Sequence, residues 1–398
     1  MDRAKVGHVC SGAEDLRAQA SVLDARVAAL AERGVTIVDP RQTFVGPEVL
    51  LERICAGAIL HPGARIRGAR TFIGPAAEVG TEGPATVVDA VLGERATIAS
   101  GYVSGAVMLR DSSVGASAHL RGGTLLEEEA STAHSVGLKQ TILLAFVTLG
   151  SQINFCDVLM TGGTSRRDHS EVGSGYIHFN FTPWGERGDK ATPSLVGDVP
   201  RGVLLREPRI FLGGSGGMIG PRQVGFGAVV GAGSQLRSDV GEARLTIARG
   251  RELDRDFDAK YLDALEPRRS RNLRYIGELY ALRAWYHQVR RPRAADNPAT
   301  GHRLIVLDEA VRNIDSAIAE RHRRLRDFAA ERGVVSGAAD PSFPASDLVV
   351  RASAACPIEV CSAGGSDHIA WVRGLDEGSA KQLRAWLAGI VTAFIDSA

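Results

Sequence analysis

Arg121 and Lys139 lie eighteen residues apart, and each directly follows a leucine, Leu120 or Leu138. If the chain brings those two positions together, a guanidinium and an ammonium group stand side by side. Two stacked cations repel unless an anion lies across them. A phosphate or pyrophosphate fits that need, with the flat arginine fork taking two oxygens and the lysine acting as a point charge.

The surrounding residues supply a way to bring them together. Val114, Leu120, Leu126, Thr132, Leu138 and Leu144 recur at every sixth position. That period fits neither the 3.6-residue helix nor the two-residue alternation of a flat strand. It fits a chain coiled as a triangular prism, with one short strand per side. Three sixes close one coil, so residues eighteen apart stack about 4.8 Å apart, the strand spacing. The same step separates Ile73 from Val79, Leu92 from Ile98, Val224 from Val230 and Val230 from Leu236. The expected organisation is an N-terminal helix within 1–34, the prism over 35–241, a helical extension over 242–335 and a small α/β unit over 336–398. Leu16, Leu23, Val27 and Leu30 space the first helix, ending at Gly34. Segments 251–291 and 302–333 read as amphipathic helices, the first including Tyr261 and Leu262. In the last unit SDLVVRA and IAWVRG read as strands ahead of a closing helix. Two polar segments, 161–170 and 182–194, lack inward aliphatics and are expected to leave the prism as loops, where binding sites concentrate.

Bulk composition narrows the function classes. The 398 residues carry a net charge of +1, which gives no overall attraction to nucleic acid or acidic lipid. Arg268, Arg269 and Arg271, and then Arg290, Arg291 and Arg293, read as solvated helix faces. Only five lysines occur among 47 basic residues, which singles out Lys139 and Lys190. The beginning of the chain has no apolar signal core, and no run of about 18 apolar residues occurs. The expected setting is soluble and cytoplasmic, with no membrane and no nucleic acid as partner. Five cysteines form no paired framework. His61, His119 and His134 do not fall on one edge of neighbouring coils, and no metal is expected. Gly213–Gly217 matches G-x-S-x-G, but that motif needs a strand–turn–helix elbow that a coil lacks.

From about residue 22 to 240 the chain resembles a known family, the C-terminal half of the bacterial bifunctional N-acetylglucosamine-1-phosphate uridyltransferase/glucosamine-1-phosphate acetyltransferase, of the hexapeptide-repeat transferases. The resemblance rests on AERGVTIVDPRQTFVGPEV, on AHLRGGTLLEEEASTAHSVGLKQ with Arg121 and Lys139 at matching spacing, on VGSGYIHFNF and on VGFGAVVGAGSQLRSDV. It implies a left-handed parallel β-helix, a homotrimer with sites between chains, and an acyl-CoA co-substrate such as acetyl-CoA. Arg121 and Lys139 would hold the phosphate. Asn180 falls on the family's substrate-amide asparagine, Phe181 on its tyrosine, and Lys190 in a loop with another lysine. Coenzyme A is expected along Ser174, Gly214, Ser215, Gly231 and Ala232. The nucleotidyltransferase domain has no counterpart, so uridyl transfer is not expected. The family's catalytic histidine falls on Ser151 and a nearby tyrosine on Asn154.

Acyl transfer to an amine needs a proton acceptor, and a lone serine hydroxyl does not titrate near neutral pH. His178, two residues before Asn180, and His169, beside Asp168, are the candidates to replace it. The expected function is an acyl-CoA-dependent N-acyltransferase on a phosphorylated amino sugar or sugar nucleotide. The alternatives are a non-catalytic sugar-nucleotide-binding or scaffold trimer, and a transferase using another donor in the same pocket.

Overall fold

The computed structural model describes residues 24–183, 188–248, 254, 256, 265–295, 301–331, 355–360 and 367–398. Its centre is a left-handed parallel β-helix with three faces. The first face stacks eleven two-residue strands, from Thr36–Ile37 to Leu245–Thr246. The second runs from Phe44–Val45 to Gln235–Leu236, and the third from Phe72–Ile73 to Gln223–Val224. The second and third faces join into one sheet because Gly137–Leu143 and Asn154–Met160 run continuously around the corner.

The six-residue step holds for most of the interior. Ile73, Val79, Leu92, Ile98, Val114, Leu120, Leu126, Leu138, Val224, Val230 and Leu236 form one inward core. It fails at Leu144. Leu126 pairs with Leu143, so Leu143 points inward and Leu144 belongs to the outer apolar cluster. The cause is a corner at Gln140, in the left-handed backbone region at φ 50°, which shortens that coil by one residue. Thr148 and Ser131, one coil apart, are accordingly seventeen residues apart.

The third face differs from the first. Many first-face strands pair a polar residue with an apolar one, as in Thr97-Ile98 and Ser113-Val114. Third-face strands are apolar doublets: Phe72-Ile73, Val91-Leu92, Leu125-Leu126 and Ile142-Leu143. A strand apolar on both sides must be covered on both sides. Two long helices, Leu265–Trp285 and Gly301–Ala330, with the closing helix Glu377–Asp396, provide that cover. Phe72, Val91, Leu125, Ile142 and Leu159 share one cluster with Ile276, Trp285, Ile314 and Phe394.

Several expectations are corrected here. Ile369–Gly374 is not a strand but part of the helix His368–Gly374, with Asp367 accepting from Ile369 N and with Ile369 and Val372 buried on one side. Arg290 does not sit on a solvated face; it is 4% exposed and bound to Glu127 and Glu128. Arg268 pairs with the buried Asp189. The N-terminal helix is seen over 24–32 with Val27 and Leu30 buried. Leu16, Leu23, Tyr261, Leu262 and SDLVVRA lie outside the described residues. Among those described, no helix is long and apolar enough to cross a membrane, and no group of His, Cys, Asp or Glu could hold a metal ion.

Candidate functional site

On the second face side chains alternate outward, inward, outward, and the register stacks each class into a column. His119 pairs with Gly137 and Leu120 with Leu138, which places Arg121 beside Lys139; Lys139 pairs with Cys156. The eighteen-residue interval therefore does put the two cations on adjacent rungs of one outward column. Arg121 is exposed and Lys139 half-buried. The Arg121 guanidinium crosses the Lys139 rung and comes within 3.8 Å of Cys156 Sγ. Burial pushes the Cys156 thiol up, with Asp157 adding to it, while Arg121 and Lys139 pull it down.

The neighbouring outward column carries Asn154, exposed and paired with Ile177. Ile177 and Phe179, each 41% exposed, continue the face above Asn154 and Cys156. Cations thus occupy its lower rungs and apolar side chains its upper ones, a layout that can take a phosphate at one end and a ring or chain at the other. At the corner beyond, Asn180 Nδ2 donates to Asp157 Oδ2 at 3.1 Å. Phe181 is half-exposed at the start of the outgoing loop, and Lys190, exposed, lines a groove with Arg323, Arg324 and Asp327.

The opposite corner, between first and second faces, collects the small residues. The Ser151 and Ser174 hydroxyls are 2.9 Å apart, and Ser174 Oγ also accepts from Ser151 N. Ser174 O accepts from Ser215 N, and Gly214 O from Gly233 N. Gly231 and Ala232 lie on the next rung, where the backbone of Gly231 and Ala232 approaches Gly213 so closely that a Cβ there would collide. Ser151, Ser174, Gly214, Ser215, Gly231 and Ala232 therefore form one nearly bare edge.

The histidines do not join these groups. Strand alternation turns His178 inward, between outward Ile177 and Phe179, and it is 3% exposed. Its Nδ1–H donates to the Cys156 carbonyl at 2.5 Å, and its Nε2 accepts from the Ser194 hydroxyl at 2.7 Å. Burial pushes this ring down to about 4, so it is neutral with both nitrogens engaged. His169 sits in the hairpin Gly163–Ser165/Asp168–His169 on the third corner, with Nδ1 donating to Arg166 O at 2.9 Å. Its Nε2 stays on the open side, 3.8 Å from Glu171.

Cys156, Asp157 and Arg321 were not singled out from the sequence. Position 156 was readable from the register of Lys139. The Arg321–Asp157 pair spans 164 positions, and nothing local announces it.

No protein-family model matches the chain. It is similar to the bifunctional protein GlmU of Fervidobacterium nodosum, 31% identical over 227 residues, or 57% of this chain and 44% of that protein. The same-named proteins of Thermotoga petrophila (28% over 229 residues) and Carboxydothermus hydrogenoformans (27% over 228) each align with 57% of this chain and 45% of their own length. The chain spans less than half the length of these curated relatives. With a β-helix as its centre, the similarity is to the C-terminal, acetyltransferase half of that bifunctional family.

Proposed function

We propose that the chain is a transferase acting on a phosphorylated amino sugar or sugar nucleotide, with an acyl-CoA such as acetyl-CoA as donor. The observation that carries this reading is the shared outward column of Arg121 and Lys139, next to Asn154 and below an apolar strip. The phosphate would lie across the two cations, and Asn154 and Asn180 would orient the amino sugar. The bare edge from Ser151 to Ala232 offers a wall on which a pantetheine arm could lie. In the reaction the sugar amine attacks the thioester carbonyl, the C–S bond breaks and coenzyme A leaves as its thiol. The ammonium proton must pass to a base. His178 has no nitrogen to spare, so that task falls to His169 Nε2, which lies on a different edge from Arg121. A single chain does not bring them together, and a neighbouring chain would have to. The outward stripe Phe211, Val229 and Leu245 is 37%, 41% and 71% exposed, an apolar surface suited to such a neighbour. Sedimentation equilibrium should give the mass of three chains; a monomer at micromolar concentration would rule this arrangement out.

A second reading, non-catalytic binding of a sugar phosphate, is favoured by the engaged His178 and by the Ser151–Ser174 pair at the family's base position. Thiol release and acetyl mass gain with acetyl-CoA and glucosamine 1-phosphate separate the two. In either case Arg121→Ala should weaken glucosamine 1-phosphate binding about 10- to 100-fold, the range for a charged hydrogen bond. Binding without turnover selects the second reading, and unchanged affinity in Arg121→Ala removes both.

A further inference from the structure

The Gly301–Ala330 helix lies beyond the segment that resembles the family, yet it delivers a buried charge to the edge of the sugar-phosphate face. Arg321 is 2% exposed, and its Nη2 donates to Asp157 Oδ1 at 2.7 Å. The other oxygen, Asp157 Oδ2, accepts from Asn180 Nδ2 at 3.1 Å. Asp157 is 5% exposed and sits at the prism corner with φ 64°, a left-handed conformation that aspartate tolerates better than most residues. Helix, corner and face are thus joined by two consecutive hydrogen bonds.

The polarity of that chain has a consequence. An asparagine amide can present either end to a ligand, but a carboxylate only accepts. Asp157 therefore claims the Asn180 NH2 and leaves its carbonyl oxygen for anything bound on the face. A carboxylate this deeply buried needs a cation beside it, and Arg321 is the cation that meets it. Nor is the pair needed simply to seat the helix. Leu325 and Phe328 already bury apolar surface there, and well-packed apolar residues commonly replace a buried ion pair without loss of stability. Arg321 Nη1 is buried without a hydrogen-bond partner among the described residues, and the nearest other acid, Glu320, is 3.9 Å from Nη2.

We propose that Arg321 is a positioning residue that holds Asn180 as a hydrogen-bond acceptor, so that the face favours ligands bearing an ammonium group, whose charge-assisted bond to that oxygen is stronger than the one a hydroxyl donates, amino sugars over their hydroxyl counterparts. The ligand class rests on the functional reading above; the orientation of Asn180 does not.

The test titrates glucosamine 1-phosphate and glucose 1-phosphate into the full chain by calorimetry, in wild type, Arg321→Lys and Arg321→Gln. Wild type is expected to prefer the amino sugar by about 10-fold or more. Arg321→Gln should bring that ratio near one, with glucose 1-phosphate affinity within about twofold of wild type, since Arg121 and Lys139 are untouched. Arg321→Lys, which keeps the charge, should retain most of the preference. If Arg321→Gln does not fold, the double variant Asp157→Asn/Arg321→Gln leaves no charge unpaired and carries the same expectation. A preserved ratio in Arg321→Gln or in the double variant overturns the proposal. So does an equal loss for both sugars, the mark of a helix that merely detaches. If wild type binds neither sugar, the functional reading fails. Crystal structures of the same variants then decide the orientation: an Asn180–Asp157 contact that persists in Arg321→Gln refutes the positioning role.

Discussion

Replacing Arg290 by methionine should destabilise the packing of the helices on the β-helix by about 3–5 kcal/mol, the cost of removing one partner from a buried ion pair. Arg290 is carried by the π-helical turn Tyr286–Arg290 and reaches into the corner between third and first faces. Its Nη1 donates to Glu127 Oε1 at 2.9 Å, and its Nη2 donates to Glu128. Tyr286 Oη donates to the same Glu127 oxygen at 2.7 Å, while Ala145 N donates to Glu127 Oε2 at 3.2 Å. One guanidinium therefore separates two adjacent carboxylates, both under 10% exposed. Burial pushes the Glu127 carboxyl up, with Arg290 pulling down and Glu128 pushing up. Without the arginine, one acid must take a proton or draw water into the interface. Urea unfolding followed by tryptophan fluorescence reads the effect, because Trp285 is fully buried on the same helix. The triple variant Glu127→Gln/Glu128→Gln/Arg290→Met has no charge to strand and should recover to within about 1–2 kcal/mol of wild type. An unchanged midpoint in Arg290→Met would show that the corner is hydrated and the ion cluster incidental.

How far the sequence foretold this architecture depended on the range of the signal. The prism was readable because in many first-face strands the inward residue follows a polar one, as in Thr97-Ile98 and Ser113-Val114, so the period is uncluttered there. The docking face was equally readable, from doublets such as Phe72-Ile73 and Leu125-Leu126, but a search for single six-residue steps passes over them. Leu144 was misplaced for a local reason: the six-step rule has no means of seeing the corner at Gln140. IAWVRG reads as a strand because Ile, Trp and Val favour one, yet Ile369 and Val372 are also one helical turn apart and Asp367 precedes them as a cap. His178 could have been placed inward by two-residue alternation alone, since Ile177 and Phe179 flank it; its nearness to Asn180 drew the reading outward. Burial of Arg290 and Arg321 was beyond reach. Their partners lie more than 160 positions away, and an arginine beside other arginines on a helix gives no sign of a carboxylate waiting on another element.

Ionisation of Glu278 as the pH rises from about 6.5 to 8 should lower the stability of the wild-type protein by about 2 kcal/mol, a share of the alkaline loss that Glu278→Gln should remove. Glu278 is 1% exposed on the Leu265–Trp285 helix, and its Oε2 accepts from Val199 N, the first residue of the short helix Val199–Gly202, at 2.8 Å. Burial, with the Asp198 carboxylate adding to it, pushes the carboxyl from its ordinary 4.5 to about 8. The folded chain then keeps a proton that the unfolded chain releases. Its contribution is complete below about 4.5, declines as pH rises through the window and is gone above about 8. Over the whole interval that corresponds to roughly 4–5 kcal/mol. His178, held down near 4, acts in the opposite sense: its contribution is present above about 6.5 and lost on acidification. The two slopes oppose each other between about 4.5 and 6.5, whereas the raised Glu127 carboxyl acts in the same sense as Glu278, so the comparison with Glu278→Gln at each pH is what isolates Glu278. Glutamine keeps an oxygen for Val199 N–H and has nothing to ionise, so the variant should exceed wild type by roughly 4–5 kcal/mol at pH 8.5. The competing group is Arg274, whose Nε lies 3.7 Å from Glu278 Oε1. Arg274 is nearly half exposed and its charge is screened by water, whereas the carboxyl is not, so desolvation prevails. Denaturation midpoints at pH 6.5 and 8.5 decide between them. If Arg274 dominated, Glu278 would be ionised in the folded state and glutamine would weaken the protein at alkaline pH instead of strengthening it.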